Sequence, residues 1–296
     1  MTTAGEFRLD RAAVLRAFGR ASAQYHGAAQ LQAVVGAELL ERLQYFPLEP
    51  RVIVDLGAGT GRGAAALRAR FPRARVIALD PVYAMLREAR RRQRFWRRYD
   101  CLCADGCAMP LAAQSVDLVY CNLMLQWCAS PVALFQELQR VLRPGGLLLF
   151  SSFGPATLQE LRGAWASVDA DSHVSAFTDM PQLGEALTKA GLAEPVMDRE
   201  VQVRHYADVY ALMKELRAIG ASHAASDRRR SLTGRHRMQA MASAYESLRE
   251  ARGLPASWEI ICGAAFAGQA QPVPAHAVPA GRETAISISA VRRHPR

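Results

Sequence analysis

A glycine-rich segment at residues 55–63 (DLGAGTGRG) is the first part of the chain whose residue types suggest chemistry. Every second residue from Gly57 to Gly63 is a glycine. Because glycine has no Cβ atom, the backbone can turn tightly there and a ligand can lie directly against it. A strand-to-helix turn of this kind also directs free backbone N–H groups at a bound molecule. The segment predicts a nucleotide-type binding site.

Polar side chains end or follow the next three apolar runs of the sequence. Asp80 lies about 20 residues beyond Gly61, where a carboxylate can accept hydrogen bonds from ribose hydroxyls. Asp105 follows the third apolar run, and Asn122 ends the fourth. Ligands of open α/β sheets bind at the carboxyl ends of the strands, so these residues are expected to face one pocket with Asp55.

Two other interpretations of the glycine segment remain open at this point. The spacing of Gly59, Gly61 and Ala64 resembles a dinucleotide fingerprint. A dehydrogenase is disfavoured because no residues typical of hydride transfer stand out. A tight turn without a ligand is the second alternative, and the acidic residues around the segment favour a binding turn over it.

The elements that must position these residues alternate between strand and helix. Short apolar runs predict strands at 51–56, 74–80, 100–104, 115–122 and 147–153, and helical periodicity covers 62–71, 82–93 and 131–142. Pro144-Gly145-Gly146 is expected to end the last of these helices and turn the chain into the next strand. This alternation implies right-handed crossovers and a buried parallel sheet. The predicted fold class is α/β, a doubly wound Rossmann-like sheet.

The flanking segments differ in pattern from the alternating region. Residues 18–43 predict one helix, and a largely helical region is expected from 154 to about 190. A strand at 194–205, helices at 207–219 and 235–252, and a final strand at 258–266 follow. We therefore expect an N-terminal helical lid segment at 1–50 and a domain at 51–268 with helical insertions at about 155–190 and 207–252. The Pro-rich residues 269–296 are predicted to be disordered.

Composition narrows the class of protein. Half of the 296 residues are hydrophobic, which excludes wholesale disorder, and no apolar run reaches the ~18 residues of a membrane span. The N-terminus lacks the apolar core of a secretory signal, so a cytoplasmic protein is expected. Six cysteines in such a chain predict no disulfide framework. Cys101, Cys103 and Cys107 lack a second ligand pair with zinc spacing, so no metal is expected.

The motif set over about residues 51–153 resembles the class I S-adenosylmethionine-dependent methyltransferases. Its parts are VDLGAGTG, ALDPVYAML, CADGCAMPL, VDLVYCNLMLQW and LRPGG. The resemblance implies the class I methyltransferase fold, a mostly parallel sheet with an antiparallel C-terminal strand, and S-adenosylmethionine as co-substrate. It implies that Asp80 holds the ribose hydroxyls, that Asp105 and Gly106 meet the adenine, and that Asn122 lines the floor below the methyl donor. The predicted cofactor-binding residues are Asp55, Gly57, Gly59, Gly61, Asp80, Pro81, Met85, Asp105, Gly106 and Asn122.

Four further segments resemble the malonyl-acyl-carrier-protein O-methyltransferases over roughly residues 18–268. They are 18–25 (FGRASAQY) with 29–32 (AQLQ), 122–128 (NLMLQWC), 158–169 (LQELRGAWASVD) with His173 and Phe177, and 213–223 (MKELRAIGASH). The resemblance implies methyl transfer to the free carboxylate of a malonyl thioester, which starts the pimeloyl chain of biotin. The implied partner is malonyl-acyl carrier protein or malonyl-coenzyme A. A quinone-type methyltransferase and a non-catalytic assembly factor with a methyltransferase-like fold are the alternatives.

A carboxylate acceptor determines what the enzyme must supply. The carboxylate is ionised at neutral pH, since its reference pKa is about 4, so no strong general base is required. The enzyme must still align the carboxylate with the methyl group and exclude water from the site. We expect Tyr25 to close the site and position the carboxylate, Gln126 and Trp127 to line the acceptor side, and His173 or a lid arginine to hold the carboxylate. Tyr25 and Trp127 as packing residues, and His173 as a solvated loop residue, are the simpler alternatives.

The net charge of +10 bears on the partner. All basic residues are arginines except Lys189 and Lys214, which is typical of codon bias as well as of a functional surface. An acidic carrier protein is expected to dock on the basic residues near the predicted lid, which are Arg217, Arg228, Arg229, Arg230 and Arg235. The arginine run at 87–98 is interpreted as a solvated face. Nucleic acid is not a predicted partner, because no recognition helix is visible and only 7% of residues are aromatic. The sequence leaves the oligomeric state open.

Overall fold

Strands and helices alternate as expected and form one seven-stranded sheet in a computed structural model, which describes residues 9–221 and 233–268. The strands are β1 (Val52–Leu56), β2 (Arg75–Leu79), β3 (Asp100–Leu102), β4 (Val116–Cys121), β5 (Leu142–Phe153), β6 (Leu192–Tyr206) and β7 (Leu254–Ala267). The helices are α1 (Arg11–Ala28), α2 (Gln30–Glu41), α3 (Arg62–Arg70), α4 (Tyr83–Arg92), α5 (Pro131–Val141), α6 (Gln159–Ala166), α7 (Met180–Lys189), α8 (Val209–Ala218) and α9 (Arg235–Glu246).

The sheet order is β3-β2-β1-β4-β5-β7-β6, and β7 runs antiparallel to both of its neighbours. The prediction of a mostly parallel sheet with an antiparallel C-terminal strand is therefore confirmed. Because β5 and β6 run in the same direction as β1, both end at the edge where the glycine segment lies. The connections that carry α6 and the pair α8–α9 thus begin at that edge, and β7 starts there. This topology places two helical insertions over one end of the sheet.

Apolar side chains cover both faces of the sheet. On one face, Leu31, Val35 and Leu39 of α2 pack in the same buried cluster as Ile53 of β1. On the other face, Leu134 and Leu138 of α5 lie in a cluster with β-strand residues. These apolar side chains are thus core residues, and the burial of those on α2 holds that helix against the sheet.

The N-terminal segment differs from the single helix predicted at 18–43. The chain forms two helices that are separated at Ala29, whose φ of −80° and ψ of 58° lie outside the helical region. The end of α1 is fixed by tertiary contacts: the His26 Nδ1 atom lies 3.0 Å from Thr60 Oγ1, and Arg62 Nη2 donates to the His26 carbonyl at 2.8 Å. Residue periodicity alone could not show this break, because its partners lie in the glycine segment.

The predicted helical region from 154 to about 190 is interrupted. Residues 167–179 form no helix between α6 and α7. Helix α7 begins anew because the Asp179 side chain accepts from the Gln182 N–H and Pro181 occupies the first turn. The irregular stretch places His173 near the carboxyl edge of the sheet, where it lines a cavity.

Several predicted boundaries also move. Strand β5 begins at Leu142, directly after α5, so Pro144-Gly145-Gly146 lies within the strand and forms the bulge where its register with β4 shifts. Strand β3 is shorter than predicted, α9 ends at Glu246, and β7 begins at Leu254. None of the helices in the described part of the chain has the length and hydropathy of a membrane-spanning segment. Residues 269–296 and the arginines at 228–230 lie outside the described residues.

Gly61 offers a test of the turn geometry. Its φ is +79°, and an added Cβ would lie 2.1 Å from the Tyr99 hydroxyl. We expect Gly61→Ala to lower the free energy of unfolding by about 2–4 kcal/mol, from the left-handed backbone and the clash together. Urea denaturation measures this change.

Gly145→Ala is the matched control for that substitution. Gly145 has a φ of +75°, but an added Cβ would meet no atom within 4 Å. Its expected cost is the backbone contribution alone, about 1–2 kcal/mol. Equal losses of unfolding free energy in the two variants would contradict a clash between the added Cβ at residue 61 and the Tyr99 hydroxyl.

Candidate active site

Two adjoining cavities lie at the carboxyl ends of β1, β2 and β4. The front cavity, of about 130 Å³, is lined by residues that include Asp80, Met85, Asp105 and Trp127. The rear cavity, of about 250 Å³, is lined by residues that include Asp55. Tyr25, Gln32, Gly57, Gly59 and Asn122 line both cavities. Together the two form one elongated site along the glycine segment.

The Asp80 carboxylate joins the glycine segment to the loop after β2. Its Oδ2 atom accepts from the Gly59 N–H at 2.9 Å, and its Oδ1 atom accepts from the Val82 N–H at 2.8 Å. Each oxygen keeps a further lone pair, which can accept a hydroxyl donor from a ligand in the front cavity. Burial raises the pKa of Asp80 to about 6, although both N–H groups oppose this. The geometry suits the ribose-binding role predicted for Asp80.

Asp55 lies at the end of β1 and lines the rear cavity. The residue is only 3% exposed, and its Oδ2 atom has no hydrogen-bond partner among the described residues. Burial raises the pKa of Asp55 to about 7, and the charge of Asp80 adds to this effect. A buried carboxylate oxygen without a partner is costly unless a ligand satisfies it. Asp55 can therefore hold a cationic group, such as an ammonium, in the rear cavity.

Helix α1 lies along the two cavities and is held near both ends. Arg11 forms an ion pair with Asp105 at 2.6 Å, and His26 contacts Thr60 in the glycine segment. Arg11 lines the front cavity and His26 the rear cavity, yet neither was recognised in the sequence. Their partners are distant along the chain, so no local spacing could have revealed them.

Tyr25 stands between the front and rear cavities near the end of α1. A Cβ atom at Gly59 would lie 3.6 Å from Tyr25 Cε1, so the ring rests close to the glycine backbone. Loss of solvation raises the pKa of the Tyr25 phenol well above its usual value, and the charge of Asp80 raises it further. The hydroxyl therefore stays protonated and can donate a hydrogen bond in this site.

The loop after β4 connects the front cavity to a third cavity. Asn122 Nδ2 donates to the Gln32 carbonyl at 2.9 Å, and Asn122 Oδ1 accepts from Ser151 Oγ at 2.8 Å. Gln126 Nε2 donates to the Leu123 carbonyl, while its buried Oε1 atom lacks a partner among the described residues. Trp127 lines both the front cavity and the third cavity. This loop is the boundary between the two spaces.

The third cavity, here the lid cavity, has a volume of about 270 Å³ and lies among α6, α8, α9 and the irregular stretch after α6. Its lining is Trp127, Phe153, Leu158, Leu161, Trp165, His173, Val174, Ser175, Phe177, Met213, Leu216, Arg217, Ile219, Ala221, Thr233, Met238 and Trp258. His173 and Arg217 are the ionisable side chains of this lining, and no carboxylate belongs to it. Within the described ranges, Arg217 forms no ion pair. The cavity is apolar with two basic side chains on its wall.

The predicted site residues divide among these spaces. The front cavity contains Tyr25, Gly57, Gly59, Asp80, Pro81, Met85, Asp105, Gly106, Asn122, Gln126 and Trp127. Asp55 lines the rear cavity, and His173 and Arg217 line the lid cavity. Gly61 lines none of the three and serves the turn into α3 instead. Arg235 is exposed at the start of α9 and lies outside the lining of the lid cavity.

The buried carboxylates predict how stability depends on pH. A raised pKa means that the folded state binds more protons than the unfolded state between about pH 4 and pH 7, so the free energy of unfolding falls as the pH rises. Asp55 and Asp80, with pKa values of about 7 and about 6, both act in this direction. Asp55→Asn should flatten the decline between pH 6 and pH 7 by about 1 kcal/mol. Urea denaturation across this range measures it, and an unchanged slope would contradict the assignment.

Comparisons with known proteins agree with this geometry. The family described as "Methyltransferase domain" matches residues 54–150. The malonyl-[acyl-carrier protein] O-methyltransferase of Xylella fastidiosa is 48% identical over 262 residues, which are 88% of this chain and 89% of that protein. The protein of the same name from Gallionella capsiferriformans is 42% identical over 267 residues, covering 88% of this chain and 92% of that protein.

Solved structures share the fold at low sequence identity. The YcgJ protein of Bacillus subtilis superposes with a TM-score of 0.57 at 14% identity, over 78% of this chain and 98% of that chain. A SAM-dependent methyltransferase from Thermotoga maritima superposes with a TM-score of 0.51 at 17% identity, over 86% of this chain and 99% of that chain. The class I fold is thus confirmed, and the co-substrate is S-adenosylmethionine. The chain belongs to the malonyl-[acyl-carrier protein] O-methyltransferase family.

Proposed function

We propose that this protein methylates the free carboxylate of a malonyl thioester, with malonyl-acyl carrier protein as the preferred acceptor. The product is the malonyl methyl ester that primes pimeloyl synthesis for biotin. Two of the relatives, 48% and 42% identical, carry the name malonyl-[acyl-carrier protein] O-methyltransferase, which supports this acceptor. The structural support comes from the lid cavity.

The observation that carries the proposal is the chemistry of the lid cavity wall. Its ionisable side chains are basic, its remaining lining is largely apolar, and Trp127 connects it to the front cavity. A guanidinium forms its strongest hydrogen bonds with an anionic partner. A carboxylate on a short acyl thioester is such a partner. A neutral quinone ring offers no negative charge to Arg217, which disfavours the quinone-type alternative.

The residues of the front and rear cavities have separate tasks toward the donor. Asp80 accepts from the ribose hydroxyls, Asp105 and Gly106 lie at the adenine, and Asp55 faces the ammonium of the methionine part. The carboxylate oxygen would attack the methyl carbon of the S-adenosylmethionine sulfonium, the carbon–sulfur bond would break, and a methyl ester and the neutral thioether S-adenosylhomocysteine would result. The donor thus enters the elongated site with its two ends held apart.

The acceptor requires orientation rather than deprotonation. The malonyl carboxylate is already ionised, with a reference pKa of about 4, so no side chain needs to remove a proton. Arg217 and His173 hold the carboxylate, Tyr25 donates a hydrogen bond that positions it, and Trp127 lines the passage between the two cavities. The apolar lining excludes water that would compete for these donors.

The proposed lid and the proposed docking surface both lie at the carboxyl edge of the sheet. We assign the lid function to the N-terminal helices and to the insertions at about 155–190 and 207–252, since they cover the carboxyl edge of the sheet. Arg217 and Arg235 are exposed at this edge, so an acidic carrier protein can approach there. Arg228, Arg229 and Arg230, which complete the predicted docking set, lie outside the described residues.

Arginine variants separate acceptor recognition from docking. Arg217→Ala should raise the KM for both malonyl-coenzyme A and malonyl-acyl carrier protein about 10- to 100-fold, because a charge-assisted hydrogen bond is worth about 1.5–3 kcal/mol. Arg235→Ala, the matched control, should raise the KM for the carrier protein alone. Steady-state methyl transfer with both acceptors measures this. No transfer to either acceptor by the unaltered protein would overturn the proposed function.

The Tyr25 hydroxyl can be tested without disturbing the ring. Tyr25→Phe removes one hydrogen-bond donor, and we expect the methyl-transfer rate to fall about tenfold. Binding of S-adenosylhomocysteine, measured by titration calorimetry, should stay within a factor of two because Asp80 and Asp55 are unchanged. An unaltered rate would assign Tyr25 a packing role only.

A further inference from the structure

His173 is held in one orientation by two contacts on the wall of the lid cavity. Its ring stacks on Trp165 with the centroids 3.8 Å apart and an interplanar angle of 11°. Its Nε2 atom lies 2.8 Å from Asp169 Oδ1, and the His173 side chain is 14% exposed. Within the described ranges, no hydrogen bond engages the other ring nitrogen, Nδ1. A ring fixed in this way presents one nitrogen to a ligand.

Asp169 is itself fixed by several partners. Its Oδ2 atom accepts from Arg237 Nη1 of α9 at 3.2 Å, and its Oδ1 atom also accepts from the Asp171 N–H at 3.0 Å. Its backbone N–H donates to the Trp165 carbonyl at the end of α6. The hydrogen bond from His173 holds the pKa of Asp169 below its usual value. Asp169 therefore connects the end of α6, His173 and α9 through one ionised carboxylate.

The charge of the acceptor decides how strongly it binds beside His173 and Arg217. Because Nε2 contacts Asp169, a ligand carboxylate would meet the ring at Nδ1, and it would bind there only if Nδ1 carries the proton that it donates. A bound malonyl carboxylate supplies the second carboxylate beside the ring. Methylation removes that charge, so the ester product is a weaker hydrogen-bond acceptor for Nδ1 of His173 and for the guanidinium of Arg217. The wall thereby distinguishes the acceptor from its own product.

We propose that Asp169 is a positioning residue that orients His173, so that His173 and Arg217 together select an ionised acceptor over its neutral methyl ester. This inference rests on the proposed function, since it concerns the same acceptor. Asp169 acts through His173 and is not part of the cavity lining. The guanidinium of Arg237 balances the carboxylate on its other side.

A metal ion is the competing explanation for this cluster. Ligand atoms of Asp169, Asp171 and His173 lie within 4.8 Å of one another, as a metal site would require. Arg237, however, lies 3.2 Å from Asp169 and 3.6 Å from Asp171, so a cationic side chain already pairs with both carboxylates. We therefore assign a positioning role to the cluster of Asp169, Asp171 and His173, and removal of metal ions by a chelator tests the metal site.

The test compares a charged acceptor with a neutral competitor on the full-length protein. Asp169→Asn should raise the KM for malonyl-coenzyme A about tenfold, since it removes a charged partner of His173. The inhibition constant of the malonyl-coenzyme A methyl ester and the kcat should stay within about twofold. Asp169→Glu should recover part of the KM. Asp171→Asn, the matched control, removes a carboxylate that contacts Arg237 but not His173, and should leave the KM unchanged.

A double-mutant cycle with His173→Gln completes the design. If Asp169 acts through His173, Asp169→Asn should add less than twofold to the KM of the His173→Gln variant. Additive effects, or equal weakening of malonyl-coenzyme A and the ester, would overturn the inference and leave the proposed function intact. Activity lost to EDTA and restored by zinc would overturn it in favour of the metal site. No methyl transfer by the unaltered protein would overturn the proposed function and the inference together.

Discussion

The hydrogen bonds of the Asp80 carboxylate are the constraint on which the site depends. One oxygen holds the Gly59 N–H and the other holds the Val82 N–H, so a single buried group connects the loops after β1 and β2. The Gly57 and Ala58 N–H groups add bonds to the Leu79 carbonyl. With these loops joined, the front and rear cavities keep their shape, and α1 has a fixed surface to lie on.

The antiparallel strand β7 has the second organising effect. Because β7 lies between the parallel strands β5 and β6, the chain leaves β6 and enters β7 at the same edge of the sheet. Helices α8 and α9 must therefore stay at that edge, opposite α6. Glu160 of α6 accepts from the Ser257 N–H of β7 at 2.9 Å, which anchors the first insertion to this strand. The lid cavity is the space that these insertions enclose.

The cavities proposed for the donor and for the acceptor carry side chains of opposite charge. Acidic side chains, among them Asp55 and Asp80, line the front and rear cavities, and the ionisable side chains of the lid cavity lining, His173 and Arg217, are basic. In the proposed reaction the acceptor loses its negative charge on methylation, so a basic wall would bind the acceptor more strongly than its ester.

The sequence by itself determined the fold class and the glycine turn, and it predicted a set of donor-binding residues, because these features depend on neighbours along the chain: apolar periodicity, glycine spacing, and polar residues at strand ends. It also pointed to Tyr25, Trp127 and His173 through resemblance. Only the tertiary structure decided that α1 breaks at Ala29, that Arg11 pairs with Asp105, and that Arg217 shares a cavity with His173. These contacts join residues far apart in sequence, so no local residue pattern could indicate them.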